Sequence, residues 1–267
     1  MAALAVVIAV ALAACGGGKA SHVACERDIA GIDARLGAGD IAWLGEIHGT
    51  EQSPRFAGDV ACAAARRGRV QLGLEIWRTE QPAIDRFVAS DGSAAERAAL
   101  LAGPYWKNHD GRSSQAMLGL IDRVRALRAA GAAISIVAYD VPDAQDRDAA
   151  MAERVLAVRD PAATFVGLSG NVHSRRIKGT PWDPEAVPMI AHLVARGLHV
   201  ATFDVSSQGG TYWACLSDGP GQPQRCGEQK AGRGEPGEPW TLGPARDASH
   251  DGVYRIGKMT ASPPAAP

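Results

Sequence analysis

The feature that most constrains the fold of this chain is a unit of apolar run, polar turn and amphipathic segment that recurs along most of its length. Residues 41–45 are apolar and end in Glu46-Ile47-His48-Gly49, after which Phe56 and Val60 mark the inner face of a helix stopped by Gly68. The run at 70–74 ends in Glu75, with helical segments from about residue 80 to 101. A loop at 103–112 leads into a helix on which Met117, Leu120, Ile121, Val124 and Leu127 fall in phase, closed by Gly131. Strands are expected at 133–139, ending in Asp140, and at 163–168, ending in Ser169-Gly170-Asn171-Val172-His173, with a helix at 143–159 between them. Asp183-Pro184 reads as the cap and first turn of a helix that closes at Gly197, and a fifth strand at 198–203 ends in Asp204.

Apolar strands alternating with helices predict an α/β fold: a central, mostly parallel sheet with helices on both faces, because each parallel crossover needs a helix to carry it. The chain has 267 residues, 46% of them hydrophobic and 21% charged, enough for one full core. A single domain is expected over 22–258, opening with a helix from about Cys25 to Leu36 and closing in a Gly/Pro-rich C-terminal appendage from about Gly209. Within that appendage 211–216 and 253–256 read as further strands, and the Pro/Ala-rich residues 259–267 as a disordered tail. A net charge of -1, with Lys and Arg scattered, gives no electrostatic footprint for nucleic acid.

The N-terminus reads as an address. Met1 to Ala14 is almost entirely Ala, Val, Leu and Ile and ends in Leu12-Ala13-Ala14-Cys15, followed by glycines. So short an apolar stretch, with small residues before the cysteine, predicts a secretory signal over 1–14 rather than a spanning helix. Leu-Ala-Ala-Cys resembles the bacterial lipobox, which implies cleavage before Cys15, a lipid on its sulfur and a tether over 15–21; the absence of Lys or Arg before the apolar run departs from that pattern. The expected location is extracytoplasmic, anchored to a bacterial membrane. Cys25, Cys62, Cys215 and Cys226 remain, an even number in an oxidising compartment. Cys215 and Cys226 bracket a Gly/Pro-rich loop and are the expected pair, while a Cys25–Cys62 bridge stays open at this level.

In a parallel sheet the carboxyl ends of the strands share one edge, and ligands bind in the crevice there. Glu46 and His48 are two residues apart, so in extended backbone they point the same way. The other strand ends bring Glu75, Asp140, Asn171, His173 and Asp204 to that edge. Glu46, His48, Glu75 and His173, with Asp140 as an optional fifth, could ligate a divalent ion such as zinc, manganese or iron. Without a metal the same four could act as catalytic acid and base, His48 taking a proton from water while Glu46 or Glu75 orients it. The plainer alternative is that each carboxylate caps the helix it precedes and each histidine is buried and satisfied. His109, His192, His199 and His250 follow no strand and read as structural or surface residues. Trp77, Trp106 and Trp182 fall in loops on the same side, where they could wall an apolar pocket or cover the edge of the core. Gly-x-Ser-x-Gly, P-loop and dinucleotide signatures are missing from the strand-to-helix turns.

Leu44-Gly45-Glu46-Ile47-His48-Gly49, Leu74-Glu75 and Gly170-Asn171-Val172-His173 together resemble the superfamily that joins ChaN-like haem-binding lipoproteins, erythromycin esterases and TIKI/TraB-type proteins. Arg147-Asp148-Ala149-Ala150-Met151-Ala152 is similar to the Arg-Asp-x-x-Met-Ala segment of the erythromycin-esterase branch. Asp251-Gly252-Val253-Tyr254 and Thr260-Ala261-Ser262-Pro263 resemble a common terminal strand and tail. The resemblance implies an α/β fold with a site built on Glu46, His48, Glu75 and His173. Erythromycin esterases hydrolyse a macrolide lactone with such a set, and TIKI proteins are metal-dependent proteases. The implied activity is hydrolysis of an ester or amide in a small molecule or peptide. ChaN-like lipoproteins are associated with haem and iron uptake and the lipobox fits them, which implies haem binding without turnover as the alternative. That branch ligates haem through a tyrosine after a Trp-containing loop. Here Trp106 is followed by Ser113-Ser114-Gln115-Ala116-Met117 without a tyrosine, so Tyr105 or Tyr139 would have to substitute.

Overall fold

The computed structural model describes residues 24–217, 219 and 222–266, so Cys15 and the expected signal lie outside the described residues. The elements run β1 Ile41–Glu46, α1 Gln52–Ala65, β2 Val70–Trp77, α2 Gln81–Ala89, α3 Ala94–Leu101, α4 Gln115–Ala129, β3 Ile134–Asp140, α5 Arg147–Val158 and β4 Thr164–Gly170. After α6 Met189–Ala195 come β5 Ala201–Ser217, β6 Gln224–Ala231, β7 Thr241–Pro244 and β8 Gly252–Met259. They form one sheet in the order β3-β2-β4-β1-β5-β8-β7, with β6 paired to β5. Only β6 and β7 run antiparallel to their neighbours. The chain is an α/β protein with a mostly parallel sheet, as the alternation of strands and helices predicts.

Side chains alternate across the central strands and so build two cores. Ala42, Leu44, Leu72, Leu74, Ile136 and Ala138 pack with Phe56 and Val60 of α1, Ile84 and Phe87 of α2 and Leu120, Ile121 and Val124 of α4. On the other face Ile41, Trp43, Val137, Tyr139 and Phe165 meet Met151 and Val155 of α5 and Met189, Ile190 and Leu193 of α6. Trp43 anchors this second core: it stacks on Phe165 with ring centroids 5.7 Å apart and its indole N–H donates to Ser169 Oγ at 2.9 Å. A side chain at Gly167 would collide with that indole. Hence the strand carries glycine there.

Capping sets where the helices begin. Ser114 Oγ accepts from Met117 N at 3.3 Å to start α4, and Asp146 Oδ1 accepts from Ala149 N at 3.0 Å to start α5. The second cap fixes Arg147 and Asp148 in the first turn, at the carboxyl edge of the sheet.

Several local expectations differ from the structure. Residues 25–36 hold only one 3-10 turn, Ile32–Arg35, because Gly31 adopts φ 81° and breaks the pattern. Asp183 caps no helix; it closes a tight turn in which Thr180 N donates to Asp183 O at 2.8 Å, and α6 starts six residues later after Pro188. The strands expected at 198–203 and 211–216 are one long strand, β5. The appendage joins the same sheet through β6, β7 and β8.

The expected disordered tail is ordered to residue 266 because helix N-termini hold it. Glu51 N donates to Thr260 O at 3.0 Å, Gln115 N to Pro263 O at 2.8 Å and Ala116 N to Ser262 Oγ at 2.9 Å. These are donors at the starts of α1 and α4 that helix bonding leaves unmet. Two disulfides are formed, Cys215–Cys226 and Cys25–Cys62, the latter tying the N-terminal segment to α1. No helix among the described residues is long and apolar enough to cross a membrane.

Candidate active site

The carboxyl-end portions of four strands and the start of α5 bring the polar groups together, and a loop ahead of α4 completes the set. Glu46 closes β1, and Oε1 of its carboxylate lies 2.9 Å from His48 Nδ1. Glu75, in β2, sits at the centre. Its Oε2 accepts from Gly170 N at 2.8 Å and lies 3.6 Å from His48 Nε2, and its Oε1 accepts from Arg147 Nη2 at 2.6 Å. His173 is held from the far side, Nδ1 being 2.7 Å from Asp148 Oδ1, with its Nε2 3.2 Å from Arg147 Nη1 and 3.9 Å from Glu75 Oε1. Met189 N also donates to Asp148 Oδ1, at 2.6 Å. Two carboxylate–histidine pairs therefore flank one carboxylate.

Arg112 and Arg147 thread the same space. Arg147 Nε donates to Asp140 Oδ1 at 2.8 Å and its Nη2 to Asp140 Oδ2 at 3.0 Å. Arg112 reaches Asp140 Oδ2 at 3.3 Å and is gripped by Asp110, which accepts from its Nε at 2.9 Å and from its Nη2 at 2.5 Å. The groups open on a cleft of about 430 Å³ lined by His48, Glu75, Trp77, Arg112, Pro142, Arg147 and His173. A larger cleft of about 590 Å³ lies elsewhere, beside Arg35, Asp40 and His199, away from this chemistry.

Glu75 is almost fully buried, and burial alone would raise its pKa. His48, His173, Arg147 and Arg112 outweigh that and hold it far below the usual carboxylate range. Burial likewise pushes His48 down, but Glu75 and Glu46 overcome it and the net shift is upward. For His173 burial is outweighed by Asp148 and Glu75, again to a net rise. Since each Nδ1–H is engaged by a carboxylate, the neutral rings present Nε2 as the lone-pair nitrogen.

The structure gathers Glu46, His48, Glu75 and His173, the four residues expected at the site. Asp140 joins them as a partner of the two arginines, while Asp204 does not; it pairs with Arg246 Nη1 at 2.6 Å. Trp77 walls the cleft, Trp106 is fully buried and Trp182 is 73% exposed. The donor set does not fit a metal: among the described residues no group of three or more His, Cys, Asp or Glu is disposed to hold an ion. Glu75 Oε1 and both Asp140 oxygens are bonded to guanidinium groups, and Glu75 Oε2 accepts from Gly170 N. Haem ligation by the expected tyrosines does not fit either. Tyr105 and Tyr139 are wholly buried, and the Tyr139 hydroxyl donates to Leu168 O at 2.7 Å inside the core. The sequence reading missed the roles of Asp110, Arg112, Arg147 and Asp148. The Arg-Asp-x-x-Met-Ala resemblance pointed at the last two, whereas Asp110 and Arg112 lie in a loop with no local pattern.

No protein-family model and no curated protein sequence matches the chain. Solved structures do. A Bacillus cereus protein is similar with a TM-score of 0.59 and 13% identity, over 87% of this chain and 92% of its own. A mutant of erythromycin esterase EreC in its open conformation gives 0.57 and 13% identity, over 73% of this chain and 76% of its own. ChaN of Campylobacter jejuni, with cofacially bound haem, reaches only 0.45 at 14% identity over 66% and 84%, a likeness too loose to argue from. At such identities similarity is one of fold. This chain has the α/β fold of the Bacillus cereus protein and of erythromycin esterase EreC.

Proposed function

We propose that the chain is a hydrolase of an ester or amide in which His48 activates water without a metal. The observation that carries this reading is the Glu46–His48 pair, 2.9 Å apart, in which His48 lines the cleft with its Nε2 3.6 Å from a Glu75 carboxylate held well below the usual range. In such a pair the carboxylate fixes the ring and its tautomer, and Nε2 takes a proton from water as it attacks the carbonyl carbon. The imidazolium formed is stabilised by Glu46 and Glu75, and the same Nε2–H then protonates the departing oxygen or nitrogen. Arg112 and Arg147 supply guanidinium N–H groups for the oxyanion. The shared fold with an esterase supports this assignment.

Release of nitrophenol from short-chain esters, together with hydrolysis of lactones and anilides, tests it. The wild-type protein should turn over at least one of these and keep its rate after chelator treatment. His48→Ala should lose roughly 10²- to 10⁴-fold in kcat, the usual share of a general base, with an unchanged circular dichroism spectrum. Undiminished turnover in that variant would sink the proposal.

We further propose that the protein works outside the cytoplasm, tethered through Cys15. The Leu12-Ala13-Ala14-Cys15 sequence and the two disulfides support this location. Incorporation of a labelled fatty acid into the protein, lost in Cys15→Ser, is the expected result.

A further inference from the structure

Trp213, in the outer half of β5, touches both segments that deliver charge to the cleft. Its indole Nε1 donates to His109 O at 3.0 Å, and its backbone N donates to Gly49 O at 2.9 Å. Gly49 directly follows His48, and His109 stands three residues before Arg112. Gly49 and Gly111 have φ of 72° and 95°, and a side chain on either would strike the Trp213 carbonyl. Both turns are therefore moulded to this one residue. Two residues on, Cys215 is bonded to its cross-strand partner Cys226, and its sulfur lies 2.9 Å from the same His109 oxygen. A disulfide sulfur carries no proton, so the indole is the donor there and the sulfur only packs.

Within its loop Arg112 is steered by Asp110, which also accepts from Asn108 Nδ2 at 2.8 Å and Arg112 N at 3.1 Å. That internal frame fixes the loop's shape. On the side before Arg112 the loop is held to the rest of the molecule where His109 O takes the Trp213 indole N–H and Gly111 lies against the Trp213 carbonyl; past Arg112, Ser113 O accepts from Ala265 N at 2.9 Å.

We propose that Trp213 is a positioning residue for the cleft, its indole N–H holding the loop that places Arg112 against Glu75 and Asp140, with the Cys215–Cys226 bridge keeping Trp213 in place. The inference rests on reading the cleft as the active site for its consequence, but its test does not need turnover.

The probe is phenylglyoxal, which modifies guanidinium groups, followed by peptide mass spectrometry of the disulfide-intact protein. Arg123 is the internal control, since its side chain is exposed to 15% against 17% for Arg112 and it pairs with Asp59 on α1 instead. In Trp213→Phe, which keeps an aromatic ring and removes the donor, modification of Arg112 relative to Arg123 should rise about fivefold, the change in open population that one lost hydrogen bond gives. The His48 titration midpoint, read by NMR, should rise with it, because Arg112 holds that pKa down. If Trp213→Phe does not fold, Cys215→Ala/Cys226→Ala should show the same relative rise. An unchanged Arg112 to Arg123 ratio in the folded variants overturns the proposal. A raised ratio in a protein whose wild type hydrolyses nothing would leave Trp213 in its role and remove the hydrolase reading.

Discussion

Glu75 is buried among two histidines and two arginines, and its negative charge favours the protonated form of both histidines. With Glu46 it holds the His48 pKa above the ordinary 6.5, so the ring is neutral, and able to accept a proton, only on the alkaline side of that raised value. Hydrolysis should therefore rise with pH through a midpoint above 6.5. Removing one raising partner in Glu46→Gln should move that midpoint down as well as slow turnover, which a pH profile of kcat/KM measures. The stability sign is the reverse. A histidine whose folded pKa is raised contributes stability that is fully present below its unfolded pKa and is lost as pH rises through the folded one. The melting-temperature gap between wild type and His48→Gln should shrink as pH rises through the midpoint; a gap that widens would contradict the assignment.

At the scale of elements, α5 shows how a cap becomes part of a site. Asp146 starts the helix, and the next two residues are the arginine on Glu75 and the carboxylate on His173. Asp146→Ala should cost about 1 kcal/mol of stability through the lost cap. It should also lower kcat by more than that loss accounts for, because Arg147 and Asp148 no longer begin from a fixed turn. Denaturation and kinetics on one preparation separate the two effects. The helix expected from Asp183 to its stop at Gly197 starts late for a related reason: Asp183 has cap chemistry, but here its backbone closes a turn with Thr180 and its side chain accepts from Glu185 N, and the helix waits until Pro188. The same residue type satisfies either need, so local sequence does not choose between them.

For the whole molecule, the terminal segment binds parts that are far apart in sequence. Residues 260–265 donate to or accept from Gly49, Gln52, Thr211, Ser113, Gln115 and the start of α4. Truncation after Met259 strips the α1 and α4 N-termini of these partners. At about 1 kcal/mol per lost hydrogen bond, stability should fall by several kcal/mol, read from urea unfolding. A truncated protein as stable as the full chain would show that water replaces the tail without cost.

What the sequence determined by itself was the α/β layering and one edge of the site. Apolar strands must be covered on both faces, and Glu46, His48, Glu75 and His173 follow strand ends, so a parallel sheet necessarily brings them to one side. The tertiary structure decided what those residues meet there. Arg112 and Arg147 arrive from a loop and a helix start, and their guanidinium groups bond Glu75 Oε1 and both Asp140 oxygens. It also decided the tail, because Pro- and Ala-rich residues carry no pattern of their own and are ordered by unmet donors on α1 and α4 together with acceptors on Gly49, Thr211 and Ser113. Strand periodicity is a local property of the chain, whereas the pairing of charges and orphan donors depends on which distant segments the folded sheet makes neighbours.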